Sequence, residues 1–184
     1  NNIESKTENI LNNDEIIISS NHTSDSYLLF LGPETFINNC KFIGFKTRSK
    51  FLTGAITFYK TKLEINDSYF DDFDAEDMIN VVYSDFKIIN TVFNNSTSDL
   101  IDIDVGIGEL DKVTITNCGN DCLDFSGSKV NANNLKIDSS LDKGISVGEE
   151  TILDISKLNI SNCGDMCIAV KDSSHLNISD SFFS

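Results

Sequence analysis

"DLIDIDVG" (residues 99–106), "DCLDFSGS" (121–128), "KGISVGEE" (143–150) and "MCIAVKDSS" (166–174) are four copies of one pattern. Each centres on two apolar residues separated by a polar or small one: Ile101/Ile103, Leu123/Phe125, Ile145/Val147 and Ile168/Val170. The steps between them are 22, 22 and 23 residues, and Ile79/Val81 lies another 22 upstream. Working outward, the rest of each unit keeps the same register. One unit reads Phe86, Ile88, Thr91, Phe93, Ile101, Ile103, and the next Gly108, Leu110, Val113, Ile115, Leu123, Phe125. Two more follow, from Val130 to Val147 and from Leu153 to Val170, and Leu176, Ile178, Ser181 and Phe183 begin another. Upstream, Leu63, Ile65, Ser68 and Phe70 open a unit, while Ile37, Cys40, Phe42, Ile56 and Phe58 fit more loosely.

Alternation of apolar and polar residues over a few positions is the signature of a half-buried strand. Three such strands with intervening turns, repeated every 22–23 residues, form the rung of a parallel β-helix, in which no rung buries its inner face alone. A leucine-rich repeat has a similar period but needs a leucine- and asparagine-spaced signature and a helical half, both absent here. The expected fold is all-β: a single-stranded parallel β-helix of roughly six to seven rungs over residues 35–184, with residues 1–34 as a cap or irregular first rung.

Composition agrees with this and narrows function. The 184 residues carry 14 basic and 29 acidic side chains, a net charge of −15. That excludes an anionic partner such as nucleic acid or an acidic membrane surface. No apolar run approaches the roughly 18 residues of a membrane span. No secretory leader is visible, and the chain starts at Asn1, so it reads as a mature or excised fragment of a larger protein. Pro33 is the only proline and tryptophan is absent.

In a strand, the neighbours of inward residues point outward. The third strand therefore shows Asn80, Asp102, Asp124, Ser146 and Ala169 as one external column, with Asp104, Ser126, Gly148 and Lys171 as the next. Asp77, Asp99, Asp121 and Lys143 stand at the strand entrance, and Glu149 and Asp172 lie just beyond the exit. Asp102 and Asp124 fall one rung apart, roughly 5 Å, where like charges tolerate repulsion, shift a pKa or hold a cation. Three readings follow. Asp99, Asp102, Asp104 and Asp124 could supply oxygen ligands to Ca²⁺. Asp102, Asp121 and Asp124, with Lys143 or Lys171, could supply acid–base chemistry, with Asp104, Ser126, Ser146, Glu149 and Asp172 contacting substrate. Alternatively, the face is simply solvated, since charged outer faces also discourage aggregation of β proteins.

The repeat resembles the right-handed parallel β-helix proteins, the pectate-lyase-like solenoids that include pectate lyases, polygalacturonases and alginate epimerases. More narrowly, "GNDCLDFSGS", "DKGISVGEE" and "AVKDSS" resemble motifs of uncharacterised bacterial secreted or surface β-helix repeat proteins. The resemblance implies a right-handed solenoid in an extracellular or cell-surface setting and carries no established reaction. The arginine base of the pectate-lyase-like pattern has no counterpart on this face. The expected partner is a polysaccharide or surface glycan. The expectation is therefore a glycan-binding domain, with glycoside hydrolase, lyase or epimerase chemistry open to it. The competing reading is a non-catalytic structural or adhesive solenoid, which could associate through an uncapped end displaying Leu176, Ile178 and Phe183 or with further segments of a parent chain.

Other candidates carry less. "CGNDC" (118–122) and "CGDMC" (163–167) occupy matching turns two rungs apart. Bonds between the two loops are out of reach; a bond within either needs a tight curl, and small residues packed in a turn is the simpler reading. Cys40 falls at a core offset. His22 and His175 have no partner at ligand spacing, and Asn95, Asn117, Ser139 and Asn162 suggest a ladder at one turn. Gly144 and Gly148 make no phosphate loop, because no helix follows and the local charge is negative.

Overall fold

The computed structural model describes residues 15–21 and 25–184; the first 14 residues of the expected cap, and His22, lie outside them. Among the described residues every paired strand is parallel and there is no helix, so none that could cross a membrane. The chain is a parallel β-helix whose third strands form one seven-stranded sheet: Leu28–Leu31, Gly54–Tyr59, Asp77–Val82, Asp99–Asp104, Leu123–Ser126, Lys143–Gly148 and Met166–Val170. First and second strands are separate in the early rungs, as in Asp85–Ile89 and Val92–Ser96, and continuous in the later ones, Lys129–Ser140 and Ile152–Cys163. Strand pairing reaches back to Ile16–Ser19, which pairs with Cys40–Ile43.

The apolar repeat is the core. Ile79, Ile101, Leu123 and Ile145 pair in register and are fully buried, as are Val81, Ile103, Phe125 and Val147 beside them. Each such side chain contributes about 1.5–3 kcal/mol through burial. Where the early rungs depart from aliphatic residues, aromatic stacks replace them: Phe42 on Phe70 and Phe70 on Phe93, with ring centres 4.8 and 4.7 Å apart. Gly108 sits at an inward position because Phe86 fills its space; a Cβ there would lie 2.1 Å from the Phe86 carbonyl oxygen.

Three corners turn each rung, and each uses a residue with positive φ. Asn and Asp hold many of these corners because their short side chains tolerate that conformation and bond locally. At the second corner Asn95, Asn117, Ser139 and Asn162 all have φ between 54° and 64°. The expected ladder forms only in part: Asn117 Nδ2 donates to Asn95 Oδ1 at 3.0 Å, whereas Asn162 turns to Asp138 Oδ1 at 2.7 Å. The third corner carries a hydroxyl ladder that the apolar pattern does not reveal. Ser84, Ser128, Thr151 and Ser174 accept the backbone N–H groups of Thr61, Gly106, Ser128 and Thr151, each one rung back. Ser128 and Ser84 in turn donate to the carbonyls of Ser126 and Val82, so the donors left over at a buried corner are satisfied.

Both CGxxC turns close as disulfides, Cys118–Cys122 and Cys163–Cys167, with Cα atoms 5.2 and 5.1 Å apart. This corrects the simple-packing reading: Gly119 and Gly164 let the turn curl, since a Cβ at either would meet a carbonyl oxygen of the preceding rung at 2.2 or 2.1 Å. Cys40 is a buried free thiol, as its offset implies. At the last rung Leu176 is half-buried while Ile178, Phe182 and Phe183 are exposed.

Candidate functional site

The third sheet presents its outer face in the expected order. Asn80, Asp102, Asp124, Ser146 and Ala169 pair directly from strand to strand, as do Val82, Asp104, Ser126 and Gly148. The face is not the open surface that strand alternation implies. Asp77, Asn80 and Asp121 are buried, Ser146 is wholly so, and Asp99, Asp102, Asp104, Asp124 and Ser126 are half-buried. Part of the cover comes from the 44–53 segment, where the step between the first-corner residues Asn39 and Asp67 stretches to 28 residues. That segment brings Thr53 onto the sheet: its carbonyl accepts from the Asp77 N–H at 3.1 Å and its hydroxyl from Asn80 Nδ2 at 3.1 Å. Lys46 and Arg48 pin the segment by ion pairs to Asp74, and they hold the Asp74 carboxyl down at about 2.

The expected site residues divide by what their oxygens do. Asp99 Oδ1 accepts from the Asp121 N–H at 2.9 Å and from Asn120 Nδ2 at 2.7 Å. Asp121 Oδ1 accepts from the Lys143 N–H at 2.9 Å. These two carboxylates close the strand entrances, a structural task. Lys143 Nζ pairs with Asp142 and lies 3.5 Å from Asp121. The Asp142 and Asp121 carboxylates raise its pKa, the opposite of what a lysine base requires. Glu149 and Asp172 occupy positive-φ corners at the edge of the sheet, and Lys171 packs beside Gly148.

Asp102 and Asp104 are different. Asn80, which sequence reasoning placed in the outer column without a role, gathers them with Asp77. Its Nδ2 lies 2.6 Å from Asp102 Oδ2 and 3.3 Å from both Asp104 Oδ2 and Asp77 Oδ2. The same buried carboxamide has an Oδ1 with no donor, and Ser146 Oγ, further along the column, is likewise buried without a partner. Burial first, and then the charges of Asp77, Asp104, Asp124 and Asp99, push the Asp102 pKa up to about 9. Burial likewise raises Asp77 to about 7 and Asp99 to about 6, and it raises Asp104 and Asp121.

Beside this cluster lies a groove of about 390 Å³. Asn80, Asp104 and Thr53 give it a polar side, and Leu29, Leu31, Phe51 and Tyr59 an apolar one. Phe51 is 96% exposed. The apolar wall escaped sequence reasoning because it belongs to the early rungs, where the repeat is loosest. A larger groove, of about 560 Å³, runs along the outer face of the first strands past Glu109, Asn131 and Asp154. Its polar groups are largely spent on one another: Asn133 on Asp111, Asn177 on Asp154, and Lys87 on Glu109. The smaller groove is the stronger candidate because its acceptors are not.

The expected calcium ligands Asp99, Asp102, Asp104 and Asp124 lie on two adjacent strands of this face. Among the described residues no three His, Cys, Asp or Glu side chains converge to hold a metal ion. Asp99 is committed to backbone and Asn120, while Asp102 and Asp104 share the Asn80 amide.

No protein-family model and no curated protein matches the sequence. Solved structures do match in shape. A mutant of the periplasmic alginate epimerase AlgG superposes with a TM-score of 0.54 at 8% identity, over 83% of this chain and 43% of that one. The enzymatically active domain of tailspike protein 2 from bacteriophage CBA120 gives 0.50 at 9% identity, over 92% and 38%. The full-length tailspike protein 2 gives 0.52 at 11% identity, over 92% and 34%. The chain thus spans less than half the length of these structures. Strand topology and these likenesses together make the chain a right-handed parallel β-helix.

Proposed function

We propose that this chain is an extracellular or cell-surface β-helix domain that binds and processes a polysaccharide on the acidic outer face of its third sheet. The observation that carries the proposal is the meeting of Asp102 and Asp104 on one buried carboxamide at the rim of a groove with an apolar wall. Sugar-binding clefts pair such walls with a few convergent polar groups. Asp102, held neutral near pH 7 by its surroundings, is the group to protonate a glycosidic oxygen. Asp104 is the carboxylate to act opposite it, with Asp124 next in line. Lyase or epimerase chemistry with an arginine base has no residue here, because Arg48, the only arginine, is bound to Asp74. The two disulfides support an oxidising compartment. The solved neighbours named for alginate epimerisation and for a tailspike's active domain support a glycan partner.

A non-catalytic, adhesive solenoid is the second reading, favoured by Asp99 and Asp121 serving backbone N–H groups. Incubation with a panel of polysaccharides, followed by product analysis, separates the two. Turnover lost in Asp102→Asn with binding retained supports processing. Binding without turnover in the wild type leaves the adhesive reading, and no binding removes the glycan. A parallel Ca²⁺ titration tests the cation reading, which predicts saturable binding lost in Asp102→Ala/Asp124→Ala.

A further inference from the structure

The groove's unspent acceptors and its charge narrow the glycan. The one groove-lining side-chain atom buried without a partner is an acceptor, the Asn80 Oδ1, and Asp104 beside it brings a carboxyl group; neighbouring Asp102 becomes a second carboxylate when a cation displaces its proton. Among the described residues no Lys or Arg lines the groove. Lys143 is paired with Asp142 and Asp121, Lys46 and Arg48 are paired with Asp74, and Lys60, packed over the Tyr59 and Tyr83 rings, does not line the groove. The chain as a whole carries a net charge of −15. A polyuronate would bring carboxylates to a wall of carboxyl groups. An ammonium group has three donors and no acceptor, the complement of this wall. Phe51 and Tyr59 line the same groove and give it aromatic surface for the apolar face of a pyranose.

We propose that the groove recognises a polysaccharide carrying free amino groups, a polymer of cationic hexosamine units. The ammonium is held between Asp104, Asp102 and the Asn80 carbonyl, and the sugar ring lies against Phe51 and Tyr59. This rests on the reading that this face binds glycan, and it adds the chemical class. Ligand binding here replaces a proton: an incoming ammonium favours the charged form of Asp102, so binding releases protons to the buffer.

The test is calorimetric titration of the intact, disulfide-bonded chain at pH 6.5 with three hexamers: β-1,4-linked glucosamine, its fully N-acetylated counterpart, and oligogalacturonate. The expected result is at least tenfold tighter binding of the glucosamine hexamer than of the acetylated one, weakening with salt, and no binding of oligogalacturonate. Asp104→Asn should remove at least tenfold of the glucosamine affinity. Phe51→Ala, at an exposed side chain that the fold does not need, should weaken it as well. The enthalpy should vary with the ionisation enthalpy of the buffer. Equal affinity for the free and acetylated hexamers overturns the amine, while leaving a glycan-binding face. Tighter binding of oligogalacturonate does the same. Poly-lysine bound as tightly as the glucosamine hexamer, with the same loss in Asp104→Asn, overturns the sugar. If no glycan of any class binds, the proposed function fails too.

Discussion

Replacing Asp102 by Asn isolates the feature that sets the candidate site apart from an ordinary polar face. An unfolded Asp titrates near 3.9, and burial with four neighbouring carboxylates moves Asp102 to about 9 in the fold. Between these values the folded chain holds a proton that the unfolded chain has released. Stability is therefore greatest at low pH and falls as pH rises toward about 9. At about 1.4 kcal/mol per pH unit, the ceiling between pH 5 and pH 8.5 is about 5 kcal/mol. Asp77, also raised by burial, to about 7, loses stability with pH in wild type and variant alike, so the difference between the two isolates the Asp102 share, on the order of 3 kcal/mol or about 6–12 °C in Tm. Asparagine matches the neutral acid in shape and still accepts from Asn80, so the variant should equal the wild type at pH 5. At pH 8.5 it should be the more stable of the two. Urea unfolding at the two pH values measures this directly. Equal pH slopes for wild type and variant, or a wild type that gains stability with pH, would refute the desolvated cluster.

Gly108→Ala forces a Cβ against the Phe86 carbonyl and ring and should cost about 3 kcal/mol or prevent folding; a soluble variant with unchanged Tm would show that the rung can shift. Ser128→Ala removes the acceptor of the buried Gly106 N–H, for a loss of about 1–3 kcal/mol by urea unfolding. A neutral result there would mean the hydroxyl ladder is incidental. Val105 is a β-branched residue at φ 53° between Tyr83 and Gly127 in the third corner, and Val105→Asn should stabilise by about 1 kcal/mol. Destabilisation by this change would show that the half-exposed Val105 side chain packs more than it strains.

The repeat of Ile79, Ile101, Leu123 and Ile145 made rung length, inward residues and the order of the outer columns legible, because period-two alternation is a direct consequence of strand geometry. What alternation could not convey was solvent exposure. An outward residue is solvated only if nothing folds over it, and the 44–53 segment bringing Thr53 to Asn80 lies outside the repeat. The acids therefore looked equivalent in sequence, yet Asp99 and Asp121 close strand entrances while Asp102 and Asp104 converge on a carboxamide. The Asn80 hub had a signal: it is the one uncharged amide in a column that continues as Asp102 and Asp124. The disulfides had one too, in the repeated CGxxC spacing, but the curl that brings the two sulfurs together depends on backbone contacts with the neighbouring rung.

The central claim is that the third-sheet groove, and not the larger groove along the first strands, is where glycan binds. Backbone amide shift mapping during titration with the best ligand from the panel tests it most directly. The account predicts perturbations centred on Leu31, Thr53, Tyr59, Asn80 and Asp104, and abolished in Asp104→Asn. Perturbations centred on Glu109, Asn131 and Asp154, and unaffected by that substitution, would contradict it.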